Sequence, residues 1–340
     1  MSTQQPNKSL LDWITIAKGL GIIFVVMGHF IPKGITPNYY IDIKNLIYTF
    51  HMPLFFLLAG LLYNYLKYSY IELFFNKLKR LIYPFISVAI FFFLIKYLAG
   101  LFFEMKHPMT LEHVFIILTD PRESYMSLLW FVYTLFLIFM VYPLIKKYIS
   151  NNFIILGCFI LLNLLFSHKS IVYTSSVIGD VLEYIPFFIG GIILRENKKF
   201  KERTINGKPV TIFIMLILFV LSYWIMPEFK EVYYSKFILG IIGSFLMFNI
   251  SYSIATYHEE NFLRKALLYT GISSMTIYLF HNLFLGSVKI GFLQLLDSIP
   301  IGFEIIAFIA IISGIIFPMI LESKIFRKYA IFRKYLLGLK

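Results

Sequence analysis

Apolar stretches of about 20 residues recur along the chain and alternate with short polar turns. A helix of about 20 apolar residues is long enough to cross the hydrocarbon core of a bilayer. The predicted spans lie at about 12–31, 45–66, 81–103, 127–145, 153–167, 178–194, 209–226, 236–256, 267–287 and 300–321. The pattern therefore predicts an all-α integral membrane protein. Residues 1–340 are expected to form a single bundle of about ten transmembrane helices, with a basic tail at about 322–340.

Lysine and arginine are concentrated in every second loop, after the even-numbered spans. The clusters are Lys77, Lys79 and Arg80; Lys146 and Lys147; RENKKFKERTINGK (195–208); Arg264 and Lys265; and Lys324, Arg327, Lys328, Arg333 and Lys334. Because cytoplasmic loops are enriched in Lys and Arg, this alternation predicts that both termini are cytoplasmic. The outer loop at 104–126 is expected to carry a short surface helix. In the tail, IFRKYAIFRKYL (325–336) has the spacing of an amphipathic stretch that lies on anionic lipid.

Composition narrows the class further. The chain is 59% hydrophobic and 14% charged, which exceeds the apolar content of a soluble domain. Its net charge of +13 resides in the loops, so it does not indicate nucleic-acid binding. The single cysteine, Cys158, excludes an intramolecular disulfide and a cysteine metal cluster. The seven histidines do not follow metal-ligand spacing, so no metal cofactor is expected.

The first span contains a lysine and ends in a histidine. Lys18 and His29 are eleven residues apart, which on a helix places them on one face and about 16 Å apart along the axis. Ionisable residues inside a membrane span are costly and commonly functional. Lys18 fits a fixed cation on a pathway for an anionic ligand, or a side chain that snorkels to the cytoplasmic headgroups.

Two further histidines are predicted in the outer halves of their spans. His51 opens the second span, so it can approach His29 on the antiparallel first helix. Histidine suits general-base catalysis near neutral pH, but His51 also fits an interfacial residue of a first helical turn. His281 fits either a substrate contact or a buried histidine that donates to a backbone carbonyl.

Other polar and aromatic residues have a structural and a functional interpretation. Asp180 and Glu183 can bind acceptor hydroxyls or orient a histidine, or simply lie at the interface. Trp130 fits a stacking platform for a sugar as well as an aromatic belt. Lys79 and Arg80 fit topology signals or phosphate contacts of a cytoplasmic cofactor.

Several segments together resemble the acyltransferase 3 family of bacterial membrane acyltransferases, especially its fucose 4-O-acetylase-like branch. The matching segments are DWITIAKGLGIIFVVMGH (12–29), FHMPLFFLLAG (50–60), KLKRLIYP (77–84), LLWFVYTLF (128–136), IPFFIGGIIL (185–194) and IYLFH (277–281). The first two are specific in order and spacing, whereas the later ones are generic apolar strings. The resemblance spans almost the whole chain, and the family architecture also has ten spans with cytoplasmic ends.

The resemblance implies O-acylation on the outer side of a bacterial cytoplasmic membrane, with acetyl-CoA supplied from the inside. The family hallmark is an arginine about ten residues before an essential histidine, and these positions hold Lys18 and His29. Lysine keeps the charge but loses the bidentate fork of arginine. Basic residues after the second helix are thought to contact the nucleotide end of CoA, which favours Lys79 and Arg80 as cofactor contacts. The second motif ends in Ala59–Gly60 where relatives often have Ser-Gly.

The sequence thus predicts a membrane O-acetyltransferase that acts on an extracytoplasmic or lipid-linked glycan. His29 and His51 are the predicted catalytic residues, as general base or acyl carrier. Lys18, Lys79 and Arg80 are expected to bind acetyl-CoA, and Trp130, Asp180, Glu183 and His281 to bind the acceptor. The alternative is a glycan exporter or flippase with no acyl-transfer chemistry. The spans contain no two-half repeat of the transporter kind.

Overall fold

The structure is a computed structural model, and it describes residues 8–32, 34–64, 68–102, 110, 112–166, 177–225, 233–257, 261–295 and 302–338. Every regular element in these ranges is helical. Seven of the helices are long and apolar enough to cross a membrane, and an eighth is added if one bent pair, Lys198–Thr204 with Pro209–Ile225, is a single span. The predicted class, an all-α integral membrane protein, is confirmed. The count of about ten spans and the cytoplasmic termini stay predictions.

The helices fall at all ten predicted positions. They are α1 (Lys8–His29), α2 (Asn38–Leu62), α3 (Tyr70–Lys77), α4 (Tyr83–Phe102), α5 (Glu112–Thr119), α6 (Trp130–Tyr148), α7 (Asn152–Phe166), α8 (Val177–Glu196), α9 (Lys198–Thr204), α10 (Pro209–Ile225), α11 (Tyr233–Tyr257), α12 (Phe262–Ile272), α13 (Ser274–Leu295), α14 (Phe303–Leu321) and α15 (Ala330–Tyr335). The predicted fifth span, α7, has only 15 residues. The short helix expected in the loop at 104–126 is α5.

The chain groups into two compact units. Unit one comprises Met1–Leu61 and Leu194–Ser323, and unit two comprises Leu62–Ile193 and Lys324–Lys340. The prediction of one domain over residues 1–340 remains a prediction.

Unit one is built around α1, which packs against α11, α12, α13 and α14. Two glycines allow α1 and α12 to approach closely, because a Cβ atom on Gly19 would collide with the Leu267 carbonyl and one on Gly271 with the Thr15 carbonyl. An ion pair between Arg264 and Asp12, with 2.8 Å between Nη2 and Oδ2, joins the same two helices. The span predicted at 267–287 as one helix is wrong in its continuity. The chain leaves helical geometry at Ser273, so this stretch belongs to two helices, α12 and α13.

Unit two contains a long helical run from Tyr70 to Phe102. A capping box between Ser69 and Glu72 begins α3, and a π-helical turn at Leu78–Ile82 connects α3 to α4. The sequence placed Lys77, Lys79 and Arg80 in a turn, and this was wrong. The capping box satisfies the first backbone N–H groups of a helix well before the apolar part of the run begins.

Candidate functional site

Two histidine rings lie side by side in unit one. His29 is the last residue of α1, and His281 is in the first half of α13. Their ring centroids are 5.2 Å apart, with 51° between the ring planes. The packing of α1 against α13 therefore brings together two residues that are remote in the chain.

His281 is fully buried, and its tautomer follows from its contacts. Its Nδ1 atom is 2.9 Å from the carbonyl oxygens of both Ile277 and Tyr278. A carbonyl oxygen only accepts, so Nδ1 carries the proton and donates it. The Nε2 atom then presents a lone pair, and no hydrogen-bond partner for it exists among the described residues. This donation matches one of the two interpretations that the sequence allowed for His281, whereas its contact with a substrate stays a prediction. The second ring nitrogen remains available for chemistry.

The Nδ1 atom of His29 is also buried and has no partner in the described part of the chain. A buried polar atom without a partner costs about 1–3 kcal/mol, so such atoms are rare in folded proteins. Here two of them belong to adjacent rings. This pairing is the strongest chemical feature of unit one.

The third histidine, His51, lies on α2 and does not touch His29 directly. Its Nδ1 donates to the Ile47 carbonyl at 2.9 Å, so its Nε2 also carries the lone pair in the neutral ring. The ring of Tyr48 contacts both histidines, with centroids 4.9 Å from His51 and 6.1 Å from His29. The three histidines are therefore gathered in one region, with His281 rather than His51 next to His29.

Tyr48 and Lys44 are parts of this region that the sequence reasoning missed. The Tyr48 hydroxyl donates to the Gly28 carbonyl at 3.1 Å, and a Cβ atom on Gly28 would lie 2.6 Å from the Tyr48 ring. The Lys44 ammonium lies 4.9 Å from the centroid of that ring. Lys44, Tyr48 and His51 follow the i, i+4, i+7 spacing of one helix face, which was the available signal.

Lys18 lies in the middle of α1, which is continuous from Lys8 to His29. The predicted common face and the separation of about 16 Å between Lys18 and His29 follow from this regular helix. Lys18 is half-buried and makes no hydrogen bond or ion pair with any described residue. Its ammonium group is therefore available to an anionic ligand.

Unit two brings Trp130 and Asp180 together through Arg122, which the sequence reasoning also missed. The Arg122 guanidinium binds Asp180 with 2.7 Å between Nη2 and Oδ1 and 2.9 Å between Nε and Oδ2. The same group lies over the Trp130 ring at 3.8 Å. Burial lowers the pKa of Arg122. The hydrogen bond to Asp180 and its negative charge raise the pKa by a larger amount, so the net pKa lies above its ordinary value. Arg122 therefore stays charged.

This arrangement limits what the predicted acceptor residues of unit two can do. One face of Trp130 is occupied by Arg122, and the ring of Tyr184 lies 5.2 Å away. Both oxygens of Asp180 accept from Arg122, so this carboxylate is already neutralised. Glu183 lies three residues further along α8 and is half-buried.

The basic residues of unit two differ in exposure. Lys79 and Arg80 are exposed on the π-helical turn. Lys77, just before the turn, lies over two aromatic rings, with its ammonium 3.3 Å from the Phe139 centroid and 6.0 Å from that of Tyr63. No carboxylate in the described residues pairs with it. In the sequence, Lys77 served only as a topology signal. In the structure it directly precedes a π-helical turn, and such turns are frequent at functional sites.

Comparison with known families identifies the chain. A sequence model described as an acyltransferase domain matches residues 11–322, which include all the residues discussed above except those of the tail. No curated protein and no solved structure matches the chain. The chain belongs to the acyltransferase 3 family of membrane acyltransferases.

Proposed function

We propose that this membrane acyltransferase moves an acetyl group from acetyl-CoA to a hydroxyl group of an extracytoplasmic or lipid-linked glycan. The family match supports acyl transfer. The observation that carries the assignment of the reacting centre is the adjacent His29–His281 pair, in which His29 Nδ1 and His281 Nε2 have no hydrogen-bond partner among the described residues. The proposed location is the bacterial cytoplasmic membrane.

His29 acts as the general base in this proposal, and His281 positions it. When His29 Nδ1–H donates to the Nε2 lone pair of His281, the remaining lone pair lies on His29 Nε2. That atom takes the proton of the acceptor hydroxyl, whose oxygen bonds to the thioester carbonyl carbon. The carbon–sulfur bond then breaks, and the proton passes from His29 to the leaving sulfur. The products are the acetylated sugar and free CoA.

His51 and Tyr48 form part of the wall of this centre. The Nε2 lone pair of His51 makes it a second proton acceptor, and the ring of Tyr48 contacts the rings of both His51 and His29. We assign it a supporting role, because its ring is not adjacent to that of His29. His281, not His51, is therefore the closer partner in the proposed chemistry.

Donor binding is proposed for four cations. In unit one, Lys18 has a half-buried ammonium group with no protein partner in the described residues. In unit two, Lys79 and Arg80 are exposed, and Lys77 is held on aromatic rings next to them. Phosphate groups bind such cations strongly when the cation lacks a competing carboxylate. Substitutions of Lys18 and Lys77, described below, test one cation in each unit.

Acceptor binding is proposed for Trp130, Glu183 and Asp180 of unit two and for His281 of unit one. Sugars bind to sites that combine an aromatic ring with charged hydrogen-bonding groups. In unit two, Arg122 contacts both Trp130 and Asp180, so these residues form one connected group. Arg122 itself is about one-third exposed and still has donors free to meet a hydroxyl.

The test is acetyl transfer by the purified full chain in lipid vesicles. The substrates are acetyl-CoA labelled in its acetyl group and envelope glycan prepared from cells that lack the protein. We expect label in the glycan with the wild type and its loss with His29→Ala. Ser287→Ala, an exposed change on α13, is the matched control and should keep activity.

A second measurement separates the enzyme from an exporter. Acetyl-CoA should raise the thermal denaturation midpoint of the wild type and raise it less for Lys18→Ala. An exporter has no need to bind acetyl-CoA. No shift in either protein, together with an unlabelled glycan, would reject the proposed function and favour export.

A further inference from the structure

The segment that follows the last membrane-length helix contains the same five residues twice. IFRKY occurs at 325–329 and again at 331–335, separated only by Ala330. The side chains repeat one contact in both copies. Lys328 lies 5.7 Å from the centroid of Tyr329, and Lys334 lies 5.0 Å from that of Tyr335.

The two copies pack on each other and on other parts of unit two. The buried ring of Phe326 lies 6.0 Å from Phe332 of the second copy. Tyr335 stacks on Tyr83 of α4, with centroids 5.9 Å apart. Gly338 has a φ of +61°, and a Cβ atom there would lie 2.7 Å from the Lys79 carbonyl oxygen. The C-terminal end of the segment therefore packs against α4 and the neighbouring π-helical turn.

The remaining side chains of this segment combine positive charge with exposed apolar surface. Residues 323–338 contain no Asp or Glu, and their cations are Lys324, Arg327, Lys328, Arg333 and Lys334. The exposed apolar and aromatic side chains are Ile331, Tyr329, Tyr335, Phe332 and Ile325, of which Ile331 is 63% exposed. Within twelve residues, the segment therefore presents five cations and five exposed apolar or aromatic side chains.

We propose that residues 324–335, here called the IFRKY segment, form a binding surface for anionic lipid headgroups. After α14, a π-helical turn at Glu322–Phe326 continues the helical run, which from Phe303 to Phe326 is long and apolar enough to cross a membrane. The segment overlaps the last residues of this run, so it begins near the end of that span. Its cations complement negatively charged headgroups, and its exposed aliphatic and aromatic side chains suit insertion at the headgroup level. A soluble acidic partner would bind to the lysines and arginines alone, and the exposed side chain of Ile331 would have no role in that contact.

The test places a reporter two residues after the segment, in the full chain. Cys158 is the only cysteine, so Cys158→Ser with Leu337→Cys allows one environment-sensitive fluorophore at position 337. The labelled protein is placed in lipid nanodiscs of phosphatidylcholine alone or with 30% phosphatidylglycerol, a composition chosen at roughly the level at which basic segments respond to anionic lipid. We expect blue-shifted emission and reduced quenching by iodide only with the anionic lipid.

Charge removal provides the second arm. Each basic residue near an anionic surface contributes about fivefold to the equilibrium constant, so R327Q/K328Q/R333Q/K334Q should lower the docked-to-undocked ratio by more than about tenfold. The matched control, K198Q/K199Q/K201Q/R203Q in α9, removes equal charge elsewhere and should leave the signal unchanged.

Salt provides an arm that needs no substitution. Raising salt to 1 M shortens the screening length to about 3 Å, so the wild-type signal in anionic nanodiscs should fall towards its phosphatidylcholine value. Equal emission in both lipids, or a signal that neither salt nor the tail substitutions change, would overturn the proposal. Neither result depends on acyl transfer, so this test is separate from that of the proposed function.

Discussion

The Nε2 atom of His281 and the Nδ1 atom of His29 both lack a hydrogen-bond partner among the described residues, although the two rings are 5.2 Å apart. Both rings belong to the same compact unit. Two neighbouring polar atoms in this state each lose about 1–3 kcal/mol of hydrogen bonding. The proposed hydrogen bond between them would satisfy both atoms and would leave Nε2 of His29 free to act as the base.

His29→Ala should abolish most acyl transfer. General-base catalysis contributes about 10²–10⁴-fold, so we expect kcat to fall by about that factor, while the KM for acetyl-CoA stays close to the wild-type value. Initial rates with labelled acetyl-CoA measure both constants. Full activity of His29→Ala on the native acceptor would contradict the assignment of the base.

The substitution His281→Phe should lower kcat more than His281→Gln does. Phenylalanine removes the Nε2 lone pair, whereas glutamine keeps a hydrogen-bond acceptor near the same place. We expect kcat to fall at least about tenfold more for phenylalanine than for glutamine, with the dependence of kcat on pH displaced in both. Thermal denaturation of both variants checks that the fold is retained. Equal loss in the two variants would indicate a packing role for His281.

The fold was predictable where the signal is local. The hydropathy pattern placed helices at all ten expected positions, and regular helical geometry was enough to put Lys18 and His29 on one face of α1. The errors also have local causes. The span at 267–287 is broken at Ser273, and the capping box at Ser69 extends a helix into the basic turn. Neither feature changes the average hydropathy.

The site was less predictable because its contacts are remote in the chain. The sequence predicted that His51 can approach His29, since their helices are consecutive, but it did not predict that the ring of His281 lies beside that of His29. That pairing depends on how α1 packs against α13, which no pattern within either segment encodes. Arg122 was missed for the same reason, because its partner Asp180 lies on another helix and its own loop shows mixed charge.

Gly28→Ala should destabilise the protein through Tyr48. The added Cβ atom would lie 2.6 Å from the Tyr48 ring, so the ring must shift, and overpacking of this kind costs about 1–3 kcal/mol. The cost should be smaller when Tyr48→Ala is present. Gly286→Ala is the control, since no atom lies within 4 Å of the new Cβ there, and alanine is the better helix former. Thermal denaturation of the single and double variants measures the coupling. Similar loss for Gly28→Ala and Gly286→Ala would contradict this account.

Replacing Arg122 should destabilise the protein more than replacing its partner Asp180. Asp180 is buried at 8% exposure, so Arg122→Gln leaves a carboxylate that water hardly reaches. The side chain of Arg122 is 34% exposed, so Asp180→Asn leaves a cation that water can hydrate. We expect a loss of about 1–3 kcal/mol for Arg122→Gln and clearly less for Asp180→Asn. A double-mutant cycle in detergent measures the coupling, and equal single losses would argue against the asymmetry.

Lys77→Met should separate donor binding from stability. Methionine keeps the unbranched chain that packs on Phe139 and Tyr63, but it removes an ammonium group that has no carboxylate partner in the described residues. Burying an unpaired charge is costly, so the variant should be as stable as the wild type or more so. If Lys77 meets a donor phosphate, acetyl-CoA should stabilise the variant less, with a Kd raised about tenfold, since a hydrogen bond to a charged group contributes about 1.5–3 kcal/mol. Lys198→Met, an exposed change on α9, should leave the Kd unchanged. The variant is expected to be at least as stable as the wild type but to bind acetyl-CoA more weakly, so the two effects can be told apart. An unchanged Kd for acetyl-CoA in Lys77→Met would assign Lys77 to packing alone, whatever the stability of the variant.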